Sequence, residues 1–71
     1  MRYSLVGQNG NAYNLMGYTA NALKATGHSD LCDQMFKEAT SGDYYNLITV
    51  CTKYLDIANE GLEDDENEEN G

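Results

Sequence analysis

The residues that could do chemistry are few, and the densest group is Gly7, Gln8, Asn9, Gly10 and Asn11, reading GQNGN. Two glycines in this stretch offer backbone positions free to take positive φ, and consecutive N–H groups arranged that way make a small nest for an anion. The stretch also opens an amphipathic pattern, so it aims the unpaired N–H groups of a helix start at solvent, where a polar ligand or a partner loop can use them. It lacks the Lys and the Ser or Thr of a phosphate-binding P-loop, and the third glycine of the dinucleotide fingerprint. The same residues also make an ordinary turn with a helix cap, and both readings stay open.

A second candidate contact site is the turn Ser41, Gly42, Asp43, Tyr44 and Tyr45. Tyr3, Tyr13, Tyr18 and Tyr54 bring the tyrosines to six, a large supply for so short a chain. Tyrosine gives wide contact area with one polar tip, so some of these rings should half-cover a core and others form a recognition surface. Tyr44 and Tyr45 are adjacent on a helix and cannot both face inward, so at least one is expected to be exposed.

The remaining reactive groups argue against catalysis. His28, the only histidine, directly follows a helix-ending glycine, and its neighbours Ser29 and Asp30 read as helix-start signals and not as catalytic partners. Cys32 and Cys51 lack C-x-x-C spacing and a nearby histidine, so they read as buried, reduced core thiols of a cytoplasmic protein. The acidic run DDENEENG does not have the spacing of an EF-hand loop. The expectation is no enzyme, no metal and no cofactor.

These groups need elements to position them. Arg2 to Val6 has strand character but no strand to pair with, so it either packs as an extended arm or pairs with a copy of itself in a dimer, the arm being favoured. Helix one is expected from an Asn11 cap to about Thr26, with Gly27 as a left-handed stop and Ala12, Leu15, Met16, Thr19, Ala20 and Leu23 as its apolar stripe. Gly17, inside that helix, is the kind of residue that lets another helix approach closely. Helix two is expected from a Ser29 cap through Asp30 to Ala39, burying Leu31, Cys32, Met35, Phe36 and Ala39. Gly42 should end it and Asp43 should cap helix three, about Tyr44 to Asn59, with Leu47, Ile48, Cys51, Tyr54, Leu55 and Ala58 facing the core.

The predicted fold is therefore mainly α, a small three-helix bundle over residues 1–59 with an extended N-terminal arm, followed by a disordered acidic tail over residues 60–71. The chain has 71 residues and a net charge of −8. The tail holds seven of the acids and no base, which leaves the helical part at −1 with only Arg2, Lys24, Lys37 and Lys53. Four scattered bases beside such a tail cannot neutralise a run of phosphates, so direct nucleic-acid binding by charge is not expected. No window approaches the ~18 consecutive apolar residues of a membrane span, and Met1 to Asn11 does not read as a secretory signal. A core this small balances narrowly against ordering entropy, which invites homo-oligomerisation.

The pieces SLVGQNGNAYNLMGYTANALKATG and EATSGDYYNLITVC resemble a family of small uncharacterised proteins of phages, prophages and bacteria. The shared pattern runs LVG-x-(N/D)-GNA-(F/Y)-x-(I/L)-MG and then EA-x-SGDY-x-x-L. It covers about Ser4 to Tyr54 and includes Leu5, Val6, Gly7, Asn9, Gly10, Asn11, Ala12, Met16, Gly17, Ser41, Gly42, Asp43, Tyr44 and Leu47. The resemblance implies origin among accessory phage genes, some of whose products inhibit host defences.

Taken together, the residues point to a small non-enzymatic binding module in the cytoplasm of a bacterial host, engaging another protein through the two turns. A binder of a phosphate-containing ligand or nucleotide signal at the glycine turn is the first alternative. A small structural or assembly protein is the second.

Overall fold

The computed structural model describes residues 2–60 and 62 and contains three α-helices, with no strand among the described residues. Helix α1 spans Ala12–Ala25. The Asn11 side chain caps it, its Oδ1 accepting from the N–H groups of Tyr13 at 2.9 Å and Asn14 at 3.4 Å. The helix stops at Gly27, whose φ of +85° is the left-handed conformation glycine takes without a Cβ penalty. There the His28 N–H donates to the Leu23 carbonyl and the Gly27 N–H to the Lys24 carbonyl, the paired bonds of a Schellman motif. Both ends were legible because both signals are local.

A single 3₁₀ turn, Ser29–Leu31, leads into α2, which spans Cys32–Ala39. The expected Ser29 cap is corrected here: no side chain caps this entry, and Ser29 lies inside the tightened turn, where its backbone carbonyl accepts from the Cys32 N–H. Phe36 is also corrected, because the short α2 turns a narrow face inward through Cys32, Met35 and Ala39 and leaves Phe36 exposed. The end of α2 is held by hydroxyl and amide side chains. Thr40 Oγ1 donates to the Phe36 carbonyl, while Ser41 Oγ and Asn46 Nδ2 both donate to the Glu38 carbonyl.

Helix α3 spans Tyr44–Glu60, and both other helices pack against it. Asp43 caps it as expected, with its Oδ1 accepting from the Asn46 N–H at 2.9 Å. Gly42 does not act through a positive φ. A Cβ there would lie 2.9 Å from Asn46 Cβ, so glycine is needed for the tight passage from α2 to α3.

The core is built from Leu15, Met16, Ala20, Ala22 and Leu23 of α1, the inner face of α2, and Leu47, Val50, Cys51, Tyr54, Leu55 and Ala58 of α3. Val50 and Ala22 join it beyond the expected set, while Ile48 is only half-buried. Thr19 is buried because its hydroxyl donates to the Leu15 carbonyl one turn earlier. Gly17 does not mediate a close helix contact: a Cβ at that position would meet nothing within 4 Å. Cys32 and Cys51 are buried free thiols, and burial raises the pKa of Cys51.

The N-terminal arm packs against the bundle, with Tyr3 and Leu5 half-buried on the core. Its anchor is Asn59, a polar residue only 5% exposed. Asn59 Oδ1 accepts from the Tyr3 N–H at 2.7 Å and Asn59 Nδ2 donates to the Tyr3 carbonyl at 2.9 Å. The Ser4 N–H donates to the Tyr18 hydroxyl, and the rings of Tyr3 and Tyr18 meet edge to face at 6.0 Å. The Tyr3 ladder groups that a self-paired strand would need are thus already used within the chain. The expected acidic tail lies almost wholly outside the described residues.

Candidate functional site

The first candidate turn is built by short-range bonds. The Gln8 N–H donates to the Leu5 carbonyl at 3.0 Å, and Gly7 supplies the positive φ, +86°, within that turn. Asn9 Oδ1 then accepts from the Asn11 N–H at 2.8 Å, while the Asn9 carbonyl accepts from Asn14 Nδ2 at 2.8 Å. Three asparagines therefore spend their amides on one another and on the entry to α1.

This arrangement corrects the anion-nest expectation in two respects. Gly10 does not adopt positive φ, so the two-glycine nest is not formed. The N–H groups of Tyr13 and Asn14, which would face an anion at the helix start, already donate to Asn11 Oδ1.

Gly10 has a different task. The Tyr44 hydroxyl donates to the Gly10 carbonyl, and a Cβ on residue 10 would sit 3.2 Å from that hydroxyl oxygen. Glycine lets the phenol lie directly on the backbone. This bond spans 34 positions of sequence and joins the two candidate turns, GQNGN and SGDYY, into one face.

Beside this junction, between the first turns of α1 and the SGDYY turn, lies an open groove of about 360 Å³. Met16, Ala39 and Leu47 are its buried walls, and Tyr13, Asp43 and Tyr44 are its exposed ones. Tyr13 is 81% exposed, Tyr44 50% and Tyr45 78%. Both members of the Tyr44–Tyr45 pair are outward, more than the single exposed ring the sequence required. Tyr45 stands beside the groove and does not line it. Asp43 is the single charged residue of the lining, and Ser41 and Gly42 form the approach from α2.

Of the ten expected contact residues, Gly10, Gly42, Asp43 and Tyr44 meet around or beside the groove. Gly7, Gln8, Asn9 and Asn11 do not line the groove; all four are exposed in the chain on either side of Gly10. The groove also recruits Tyr13 and Met16, which lie in the first turns of α1. Tyr13 was discoverable from its position off the apolar stripe, directly after the cap. Met16 reads as core and is core; that its edge opens into a groove depends on where α3 crosses.

An ion pair also ties α2 to α3. Lys53 Nζ lies 2.8 Å from Glu38 Oε1, and the Lys53 ammonium is the main cause that lowers the Glu38 pKa, with Gln34 and the Tyr54 hydroxyl adding to it. The same pairing raises the pKa of Lys53.

His28 is half-buried at the end of α1, with a structural backbone bond to Leu23. Among the described residues no three or more His, Cys, Asp or Glu side chains are grouped to hold a metal ion. Among them, too, no helix is long and apolar enough to cross a membrane. Comparison with family models, curated proteins and solved structures gives no match.

Proposed function

We propose that this chain is a non-enzymatic binding module that engages another protein through the joined face of the GQNGN and SGDYY turns. The observation that carries the reading is the Tyr44 bond to the Gly10 carbonyl, which makes one surface of two separate turns and borders it with exposed tyrosines. Aromatic rings around an apolar groove are the usual anchors of protein recognition, because they bury much area at low entropic cost. The lining of Met16, Ala39 and Leu47 suits an apolar side chain of the partner, and the lone Asp43 carboxylate suits a base beside it.

The resemblance to small phage and prophage proteins gives the reading a setting: a phage-encoded protein in the bacterial cytoplasm that modulates or inhibits a host defence protein. The phosphate-ligand alternative is weakened by the Asn11 cap, which uses the N–H groups such a ligand would take. An assembly role remains the other alternative, since a second copy could occupy the same groove.

The test is capture from bacterial lysate with the intact chain and with Asn9→Ala and Tyr45→Ala variants, whose helicity is checked first by circular dichroism. The reading expects a specific protein retained by the parent chain and lost or weakened in both variants. Identical partner lists for all three would count against it.

A further inference from the structure

Asn9 and Gly10 meet the requirements of a reaction that none of the contacts above uses. Both are exposed, both lie in irregular chain between the arm and α1, and residue 10 has no side chain to shield its own backbone nitrogen. Asn9 Oδ1 accepts from the Asn11 N–H, which turns the side chain forward along the chain and polarises its Cγ carbonyl. No hydrogen bond from the Gly10 N–H is found among the described residues. Asparagine is among the thermolabile residues, and this one has its attacking nitrogen unblocked.

We propose that Asn9–Gly10 is a self-modification site, at which the Gly10 backbone nitrogen closes on Asn9 Cγ and the side chain leaves as ammonia. A solvent base takes the Gly10 amide proton as the nitrogen pair forms the new N–Cγ bond. The Cγ–Nδ2 bond breaks, and the departing nitrogen takes a proton from water. The product is a five-membered succinimide. Water then opens the ring at one of its two carbonyls, leaving either aspartate or an isoaspartate whose main chain runs through the former side chain. The net change is one water consumed and one ammonia released, with no metal, oxidant or cofactor.

The structure also sets the selectivity. Asn14, Asn21, Asn46 and Asn59 lie within helices, where the following N–H is held in the i to i−4 ladder, and Asn11 is followed by Ala12, the first residue of α1, whose Cβ crowds its own nitrogen as no side chain does at Gly10. None of these five is followed by glycine. The other Asn-Gly pair, Asn70–Gly71, lies outside the described residues.

The two products differ in their effect on the face. Aspartate keeps the acceptor for the Asn11 N–H and adds a negative charge just before α1, where the helix dipole favours it. Isoaspartate inserts a carbon into the main chain between residues 9 and 10. That displaces the Asn9 carbonyl from Asn14 and the Gly10 carbonyl from Tyr44. The joined face is therefore undone by one product and kept by the other, whatever it binds.

The test holds the purified full chain, folded and separately unfolded in urea, at mildly alkaline pH and physiological temperature, with peptide mapping and fragmentation over time. In the folded chain the expected result is replacement of NH₂ by OH at residue 9, with Asn11, Asn14, Asn21, Asn46 and Asn59 unchanged. Asn9→Gln should slow it severalfold, since the longer side chain closes a less favourable ring. The isoaspartyl form, separated by chromatography, should lose the nuclear Overhauser contacts between the Tyr44 ring and Gly10 that the aspartyl form keeps. Asn9 intact in the folded chain after the unfolded chain has converted would overturn the proposal, as would conversion spread evenly over the asparagines.

Discussion

The side-chain amide of Asn59, near the end of α3, holds the Tyr3 backbone from both sides, accepting from its N–H at 2.7 Å and donating to its carbonyl at 2.9 Å. A single side chain thus gives Tyr3 the pair of bonds a neighbouring strand would give, and the arm needs no sheet. Because Asn59 is buried, its amide has no water to fall back on if the arm leaves. The arm and the last turns of α3 are expected to open together.

Asn59→Ala should therefore destabilise the chain by about 1–3 kcal/mol, the cost of stranding buried polar groups. Urea unfolding measures the loss, and amide exchange at Tyr3 should accelerate far more than exchange in the middle of α1. Unchanged protection of the Tyr3 N–H would show that the arm is held by its rings alone.

Two glycines should respond in opposite directions. At Gly17 a Cβ meets nothing within 4 Å, so Gly17→Ala should raise stability by about 0.5–1 kcal/mol through reduced unfolded-state freedom. At Gly42 the new Cβ would lie 2.9 Å from Asn46 Cβ, so Gly42→Ala should lower the melting temperature. Thermal unfolding of both variants beside the parent checks the pair.

The ion pair between Glu38 and Lys53 predicts a pH dependence of known sign. Glu38 has its pKa lowered in the fold, so its contribution is full above the unfolded carboxylate pKa and disappears as pH falls through the lowered folded value. Lys53 has its pKa raised, so its contribution is full below the unfolded lysine pKa and disappears as pH rises through the folded value. Glu38→Gln should consequently cost stability at neutral pH and nothing in strong acid. The difference should shrink with added salt, since Lys53 is well exposed.

Cys51 titrates in the opposite sense to Glu38. Burial raises its pKa, so the unfolded chain ionises first as pH rises past the ordinary thiol value, and folding weakens there. Labelling with a thiol reagent should be slow for both Cys32 and Cys51 in the folded chain and follow the rate of opening. Rapid native labelling of Cys51 would contradict its burial.

Sequence disclosed what is written locally. The start of α1 follows from Asn11 and its end from Gly27, because each signal acts within a few residues, and Asp43 announces α3 in the same way. Ser29 misled because a good capping residue was not placed to cap, and the chain enters α2 through a 3₁₀ turn instead. Phe36 misled because an eight-residue helix buries too narrow a face for every apolar residue it carries. The arm was legible as an arm, while its anchor was not, since an Asn at the edge of an acidic stretch gives no hint of a partner 56 positions away.

The candidate face shows the same division. Both turns were legible as turns from glycine, asparagine and aspartate. Their union was not, because it rests on the Tyr44 hydroxyl reaching Gly10, a pairing that depends on how α1 and α3 cross. The glycine that looked like a source of positive φ serves instead to let a phenol approach the backbone.

The central claim is that these two turns form one surface, and nuclear Overhauser contacts in the intact chain test it most directly. The account predicts strong cross-peaks between the Tyr44 ring protons and the Gly10 α-protons, weakened by Tyr44→Phe, which removes the bond to the Gly10 carbonyl. Absence of those cross-peaks in the parent chain, with the Tyr44 ring reporting only solvent, would contradict it.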